Sequence, residues 1–378
     1  MSHGQVRLAL DIAPVRAESA GVGIYAASLA TALARRSTAG LTLIGVRGEG
    51  TTLSDVAQVQ EMEFRAGRLP AALAPNYHAW LQLHADTDAR VAGANLAHYT
   101  NGAAPLRSSL PFVVTVHDLS LLRYPQLHPA RRLATLPVTI VAIARARAVI
   151  VPSDWVRLEL IRGLRVSPGR VVAIQHAASY AMAQVAGPTE VVTRLGLTPG
   201  AYLLSVGTIE PRKNVVRLVG AFEMLAAEDP NMRLVLCGSP GWRRASIERR
   251  IAASPYVNRI QTTGYLAPSE VAVLMRCASV VCYVSLYEGY GLPVIEAMAL
   301  GAPVVTSNRS AMPQTAGGAA VLVDPFEEAD IARGIREAIA RRDELALAGL
   351  ARVAGRTWAD VADEHWAVYE WALRGSRY

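Results

Sequence analysis

Ten short runs of apolar, largely β-branched residues, separated by stretches of helical periodicity, set the limits on what this chain can fold into. They lie at residues 6–12, 41–46, 112–116, 148–151 and 171–174, and again at 202–206, 234–237, 280–284, 303–306 and 320–323. Several are apolar on both faces. Such strands belong inside a parallel sheet covered by helices on each side. The intervening segments supply those helices. Over 214–228, Val215, Leu218, Val219, Phe222 and Leu225 share one face, behind Asn214 as N-cap. The alternation predicts an α/β fold of doubly wound, Rossmann-like type.

A chain of 378 residues is long for one hydrophobic core and comfortable for two. The rhythm breaks at 177–201, where Ala186-Gly187-Pro188-Thr189 and Thr198-Pro199-Gly200 read as loop. This places one domain at 1–178 and a second at 198–357. The last segment, 358–378, carries Trp358, Trp366, Tyr369 and Trp371 and reads as a terminal helix free to pack back on the first domain. With 52% hydrophobic and 18% charged residues, both halves have material for a core, which argues against disorder. No apolar run reaches the ~18–20 residues that span a bilayer. Residues 1–5 are mostly polar and lead straight into a strand, unlike a signal peptide. A cytoplasmic protein is expected. Cys237, Cys277 and Cys282 sit in apolar segments without metal-ligand spacing and read as reduced core residues.

The net charge is +7. No dense basic block interleaved with aromatics occurs, so nucleic acid is not an expected partner. Of 38 basic residues only Lys213 is a lysine. Compositional drift towards arginine is one account of that. The other is a need at this position for a compact, rotatable ammonium, as in a phosphate contact.

Two strand–glycine turn–helix units carry the chemistry. In Tyr287-Glu288-Gly289-Tyr290-Gly291-Leu292-Pro293-Val294-Ile295-Glu296, Pro293 suits the start of a helix and Gly301 its end. Gly289, Tyr290 and Gly291 then form a tight loop at a positive helix end, a place where phosphate binds. Glu288 and Glu296 flank it. A carboxylate beside a diphosphate makes sense only if it holds neutral hydroxyls; otherwise both are ordinary loop and helix charges. In Ser205-Val206-Gly207-Thr208-Ile209-Glu210-Pro211-Arg212-Lys213-Asn214 two cations stand at a helix start, where the dipole disfavours them. An anion partner such as a diphosphate accounts for them better than a bare surface does.

Together these motifs resemble the retaining glycosyltransferases of family 4, over nearly the whole chain. The Glu-x7-Glu pattern in its glycine-rich frame is the most specific mark. The resemblance implies a GT-B fold, two Rossmann-like domains facing across a cleft, with a nucleotide-diphosphate sugar bound mainly by the C-terminal domain. It implies that Arg212 or Lys213 neutralises the leaving diphosphate, that Glu296 holds the ribose hydroxyls, and that Glu288 contacts the donor sugar. The backbone from Gly289 through Tyr290 and Gly291 to Leu292 would touch sugar or phosphate. Gly264-Tyr265-Leu266 matches the strand end whose backbone meets the base, and Gly238 the glycine turn after the preceding strand. Gly207 and Thr208 fall in the turn that meets the donor. In the first half, His117 of Val114-Thr115-Val116-His117-Asp118 would face the donor sugar, although a lone histidine at a strand end is more often structural. Pro152-Ser153-Asp154-Trp155 matches a strand-end serine before a helix. Gly21 and Gly23 of Gly21-Val22-Gly23-Ile24-Tyr25 match a flexible glycine loop near donor phosphates and acceptor. His117, Glu288, Lys213 and Arg212 form the candidate catalytic set.

Two departures stand out. Thr208 occupies a position where many relatives have Arg, so the clamp would rest on Lys213 and Arg212 alone. Gln314 replaces a common Glu. The stretches His117-Asp118-Leu119-Ser120 and Glu210-Pro211-Arg212-Lys213-Asn214 look most like mannosyl- and rhamnosyl-transferring members that build bacterial polysaccharides. That favours GDP-mannose as donor, a UDP-hexose second, and a glycan or lipid-linked acceptor. No cofactor and no metal are expected: Lys213, Arg212 and the helix end would supply the positive charge, and Asp86-Thr87-Asp88, the only Asp-x-Asp, reads as helical surface. The sequence holds no convincing nucleophile for a double displacement.

Three rivals compete. Gly21-Val22-Gly23-Ile24-Tyr25-Ala26 fits the G-x-G-x-x-A of NAD-dependent oxidoreductases, but its first glycine comes nine residues after Ile12 and no acidic residue ends the second strand cleanly. A sugar- or nucleotide-binding protein of the same fold would bind donor without transferring it. A phosphorylase-type enzyme would need a pyridoxal-phosphate lysine, and Lys213 is already claimed. Arg123, Arg131, Arg132, Arg145, Arg147, Arg157, Arg162, Arg165 and Arg170 concentrate in the first half. They make either a face for anionic lipid or a solvated helical surface.

Overall fold

The computed structural model describes residues 5–15, 21–36, 41–46, 64–67, 77–179 and 190–374. The readings of residues 1–4 and of Ala186-Gly187-Pro188-Thr189 fall outside the described residues. Among the described residues, thirteen strands form two parallel sheets. The first holds β1 (Leu8–Asp11), β2 (Leu41–Val46), β3 (Phe64–Gly67), β4 (Leu96–Tyr99), β5 (Phe112–Thr115), β6 (Ala148–Val151) and β7 (Val171–Ala173), in the order β3-β2-β1-β4-β5-β6-β7. The second holds β8 (Tyr202–Val206), β9 (Arg233–Cys237), β10 (Ile260–Gly264), β11 (Val280–Tyr283), β12 (Val304–Ser307) and β13 (Val321–Val323), in the order β10-β9-β8-β11-β12-β13. Each sheet reverses its strand order beside its first strand, β1 between β2 and β4, β8 between β9 and β11. Ligands of open α/β sheets bind at such reversals, outside the strands' carboxyl ends.

All ten expected runs form strands. β3 and β4 were not expected, and β10 only through the family resemblance, as a strand ending at Gly264. β4 is four residues long and interrupts its apolar run with His98, and β10 reads Ile-Gln-Thr-Thr-Gly.

Two compact units contain the sheets. One comprises Met1–Leu122, Ala130–His176 and Arg356–Tyr378, the other Arg123–Pro129 and Ala177–Gly355. In the second, consecutive residues of one strand feed opposite faces. Tyr202 and Leu204 of β8 join one core cluster and Leu203 the other; Val281 and Tyr283 of β11 join the first, Val280 and Cys282 the second. Burial of such a side chain contributes about 1.5–3 kcal/mol, so this two-sided pattern holds the sheet between its helices. Cys237, Cys277 and Cys282 are free, and burial pushes the Cys282 thiol up to about 12, which keeps it unreactive.

In the first unit, the helix Trp358–Arg374 packs on the helix Gly21–Arg36. A chain of buried hydrogen bonds ties it down. His365 Nδ1 lies 2.7 Å from the Val361 carbonyl, so it must donate. Burial pulls His365 down to about 4, so the ring is neutral and Nε2 accepts from the Tyr25 hydroxyl at 2.9 Å. Tyr25 then accepts from Thr115 Oγ1, Thr115 from His98 Nε2, and His98 Nδ1 from the Tyr369 hydroxyl, at 2.9, 2.8 and 2.8 Å. One carbonyl thus orders every proton in the series.

One sequence reading, of Gly21 and Gly23, is corrected here, and the helical reading of residues 86–88 holds. Gly21 and Gly23 do not form a flexible loop; both lie in the first turn of the helix Gly21–Arg36. β1 ends at Asp11 and the helix begins at Gly21, too far along the chain for the tight strand-to-helix turn of a dinucleotide fingerprint. Asp86-Thr87-Asp88 is helical, within Ala85–Val91, but its carboxylates are engaged. Asp86 accepts from the Ser109 amide and hydroxyl, both at 2.8 Å, and Asp88 from the Trp80 indole at 3.0 Å.

Candidate functional site

At the reversal of the second sheet, the turns after β8, β9 and β10 are stitched backbone to backbone. The Gly207 amide donates to the Cys237 carbonyl at 2.9 Å and the Gly238 amide to the Gly264 carbonyl at 3.0 Å. Gly207 and Gly238 have φ of +135° and +148°, open to glycine alone. A Cβ on Gly238 would stand 2.2 Å from the Gly207 carbonyl oxygen. Thr208 and Ile209 continue the turn, with the Ile209 amide on the Ser239 carbonyl at 3.0 Å. Tyr265 and Leu266 follow β10, both half-buried.

Beyond Thr208 a 3-10 turn, Pro211–Lys213, precedes the helix Val215–Glu228. Asn214 sits at the N-cap position but does not cap. It adopts a left-handed backbone, φ 60°, and its Nδ2 donates to the carbonyls of Val284 at 3.1 Å and Pro325 at 2.6 Å. The side chain pins the turn to the ends of β11 and β13 instead.

Arg212 and Lys213 are both nearly buried, and the anion they meet is Glu288. Arg212 Nη1 contacts Glu288 Oε2 at 2.6 Å, and Lys213 Nζ donates to Glu288 Oε1 at 2.7 Å. Arg212 also gives Nε and Nη2 to Glu210 Oε1, at 3.0 and 2.9 Å, and Nη1 to the Tyr287 carbonyl at 3.0 Å. Its fork is largely consumed by the protein. Both cations are thus turned towards Glu288, Arg212 orienting the carboxylate and Lys213 bearing a compact charge beside it. Burial pushes the Glu288 carboxyl up, but the adjacent Arg212 and Lys213 outweigh it and hold it at about 2. Burial pulls the Lys213 ammonium below its ordinary value, with Glu288 opposing. Glu288 is therefore a carboxylate at neutral pH.

Glu288 is fixed through its backbone too. Its amide donates to Ser310 Oγ at 3.0 Å, and its carbonyl accepts from the Ala311 amide at 3.3 Å. Gly289 and Tyr290 are buried, and the Tyr290 carbonyl accepts from Thr315 Oγ1 at 2.5 Å. Gly291, φ 93°, stands at the N-cap of the helix Leu292–Ala299, where a Cβ would meet Met312 Cε at 2.6 Å. Leu292 opens that helix, whose first amides have no intrahelical acceptor. Glu296 lies inside it at 5% exposure. Ser179 bonds the carboxyl, but Glu296 Oε1 has no partner among the described residues, and burial pushes the group up to about 7. A buried oxygen of this kind costs about 1–3 kcal/mol unless something satisfies it.

The structure therefore gathers Gly207, Thr208, Gly238, Arg212, Lys213, Glu288, Gly289, Tyr290, Gly291, Leu292 and Glu296 on the turns and helix that leave β8, β9 and β11. Gly21, Gly23 and His117 belong to the other unit. His117 follows β5, and its Nε2 lies 2.8 Å from the Thr100 carbonyl, so Nε2 carries the proton. Burial lowers its pKa against the pull of Thr100 and Asp118. The neutral ring presents Nδ1 as an acceptor only. Its edge stands against Tyr25, ring centroids 4.9 Å apart.

Sequence reasoning missed four supporting residues: Glu210, Tyr283, Ser310 and Ser179. Glu210 was inside a quoted motif, and its 2% exposure is the signal that only structure supplies. Tyr283 ends β11 among apolar residues and reads as core.

The Glycosyl transferases group 1 family model matches residues 195–348, and the Glycosyltransferase Family 4 model matches residues 19–178. O-antigen chain mannosyltransferase B of Escherichia coli is 31% identical over 254 residues, 65% of this chain and 66% of that relative. The chain spans 27–66% of the length of the first three curated relatives it matches. Sucrose-phosphate synthase of Thermosynechococcus elongatus superposes with a TM-score of 0.76 at 22% identity, over 98% of this chain and 100% of that one. Anabaena HepE in complex with UDP-glucose superposes with a TM-score of 0.73 at 18% identity, over 96% and 98% of the two chains.

Proposed function

The chain belongs to glycosyltransferase family 4 and takes the GT-B fold, and on that premise we propose that it moves a hexose from a nucleotide-diphosphate sugar onto a glycan or lipid-linked acceptor with retention at the anomeric carbon. Mannose from GDP-mannose is the donor of choice. The mannosyltransferase named among the relatives supports the sugar. A UDP-hexose is the competing donor, the class seen in HepE.

One observation carries the reading. Glu296 holds a buried carboxyl oxygen without a partner among the described residues, on the same glycine-framed helix that Glu288 introduces. Two ribose hydroxyls would satisfy it, and Lys213 and the start of the helix Leu292–Ala299 would meet the diphosphate beside it. Glu288, anchored by Arg212, is left to accept from a hydroxyl of the sugar.

In the reaction the bond from the anomeric carbon to the β-phosphate oxygen breaks, and the electron pair leaves with the nucleoside diphosphate. Lys213 stabilises the charge that develops there. The acceptor hydroxyl attacks from the same face, and its proton passes to the departing phosphate oxygen. His117, with a lone pair at Nδ1, is assigned a hydrogen bond from a sugar hydroxyl.

The acceptor reading has its own support. Residues 101–170 hold ten arginines against three acidic residues, so this stretch accounts for the chain's whole net charge of +7. Trp155 and Leu158 on the helix Asp154–Gly163 and Ile140 on the helix Leu136–Arg145 are 42%, 39% and 41% exposed. Exposed aromatic and aliphatic residues among arginines suit peripheral contact with anionic lipid. Among the described residues no helix is long and apolar enough to cross a membrane. Co-sedimentation with vesicles containing phosphatidylglycerol at low salt is expected; its absence removes the lipid part alone.

A panel of nucleotide sugars, read by donor hydrolysis and thermal shift, tests the donor. GDP-mannose should give the largest response. A response to NAD and to no nucleotide sugar would overturn the proposal.

A further inference from the structure

Tyr283 ends β11 directly beneath the chain's one lysine. Its hydroxyl lies 2.6 Å from Lys213 Nζ, which donates to it, and the ammonium also stands 4.6 Å from the centre of the ring. The lysine stem crosses Gly207, where a Cβ would come within 3.4 Å of Lys213 Cε. The ring also lies beside the N-cap of the next helix, since a Cβ on Gly291 would lie 3.4 Å from Tyr283 Cε1. The phenol is 4% exposed and bonds Glu288 as well as Lys213. One buried side chain therefore bonds the lysine and the first glutamate and lies beside the start of the helix Leu292–Ala299.

We infer that Tyr283 is a positioning residue that holds the Lys213 ammonium over the Gly207 turn and couples it to Glu288; its bearing on transfer rests on the function proposed above. A lysine stem has four rotatable bonds and no preferred fork, so its charge is placed only by what surrounds it. Glu288 alone would draw the ammonium towards the carboxylate. The phenol oxygen supplies a second acceptor, and the ring face a third contact, on the side of β11. The charged groups around Lys213 are Glu288, Arg212 and Glu210, and Tyr283 is the neutral member that fixes its direction. Tyr283 does not act on the sugar itself.

Because Lys213 is the only lysine, biosynthetic labelling with [13Cε]lysine gives the full-length protein a single side-chain resonance. In the wild type this resonance should show the upfield shift of a methylene beside an aromatic ring. Tyr283→Phe keeps the ring and removes the oxygen. It should lower the titration midpoint of the lysine by about one pH unit, the size expected for losing one hydrogen bond to a charged group. With GDP-mannose as probe, it should lower kcat about tenfold, while in a Lys213→Ala background it should add nothing. An unshifted wild-type resonance overturns the inference, as does a midpoint identical in wild type and Tyr283→Phe. A Tyr283→Phe defect that persists undiminished without Lys213 also overturns it. If the lysine responds as stated but the wild type takes no nucleotide sugar, the positioning stands and the proposed function falls. The wild-type resonance alone decides the matter should Tyr283→Phe not fold.

Discussion

Arg212 meets Glu288 through one 2.6 Å contact, Nη1 to Oε2, and spends most of its remaining hydrogens on Glu210 and the Tyr287 carbonyl. It is therefore an anchor for the glutamate. Removing one member of a buried pair leaves an uncompensated charge and costs about 3–5 kcal/mol. Arg212→Ala should lower the thermal midpoint by several degrees and reduce turnover, yet change nucleotide affinity less than Lys213→Ala does. Differential scanning fluorimetry and GDP titration of both variants check the order.

Lys213→Ala should lower kcat/KM for the donor by about 10²–10³, because it removes the cation proposed to meet the leaving group. Lys213→Arg should restore only part of this, since a planar fork does not reproduce the compact ammonium that donates to both Tyr283 and Glu288. Steady-state kinetics on the two variants make the comparison.

Burial raises the Glu296 carboxyl from 4.5 to about 7, so between these values the folded state holds a proton that the unfolded state has lost. Folding stability contributed by this group falls as pH rises through that window, and the penalty is complete above it. Glu296→Gln should thus stabilise the ligand-free protein by about 2–3 kcal/mol at pH 8 and by little at pH 4.5. The same substitution should weaken nucleotide binding. Denaturant midpoints at the two pH values show whether the signs hold.

His365 behaves oppositely. Its ordinary value of 6.5 is pulled down to about 4 by burial, so the unfolded state binds the extra proton between those values. Stability is lost as pH falls through that window, by up to about 1.4 kcal/mol per pH unit for one proton. Gln at 365 can still accept from Tyr25 and donate to the Val361 carbonyl, without titrating. His365→Gln should flatten the acid limb of the stability curve, measured by urea unfolding from pH 7 to pH 4.

Gly238→Ala tests the floor of the site. It forces a Cβ to 2.2 Å from the Gly207 carbonyl and imposes φ +148° on an L side chain. A loss of about 2–4 kcal/mol is expected. The alanine variant should also bind nucleotide poorly. A variant as stable as wild type would show that the turns after β8 and β9 are not locked together.

The fold was legible because its period is local. Tyr202, Leu203 and Leu204 announce a strand buried on both faces without help from any distant residue. The glycine frames were legible for the same reason: Gly291 before Leu292-Pro293 marks a helix start wherever it occurs. What sequence could not reveal depends on contacts far apart in the chain. Arg212 looked like a phosphate ligand because Glu288, 76 positions on, is invisible as its partner until β8 and β11 pair. Asn214 looked like a cap because its true acceptors, Val284 and Pro325, belong to other strand ends. Gly21 and Gly23 were read as a loop from the family resemblance alone, and they open the helix Gly21–Arg36 instead.

The account stands or falls on whether Lys213 and Glu296 serve one bound nucleotide sugar. Calorimetric titration of the full chain with GDP-mannose, in the wild type and in the Lys213→Ala and Glu296→Gln variants, asks this directly. The account predicts one site in the wild type and affinity reduced about tenfold or more in each variant, the worth of one charge-assisted contact. Equal affinity in all three proteins, or a wild type that binds neither GDP-mannose nor any UDP-hexose, would contradict it.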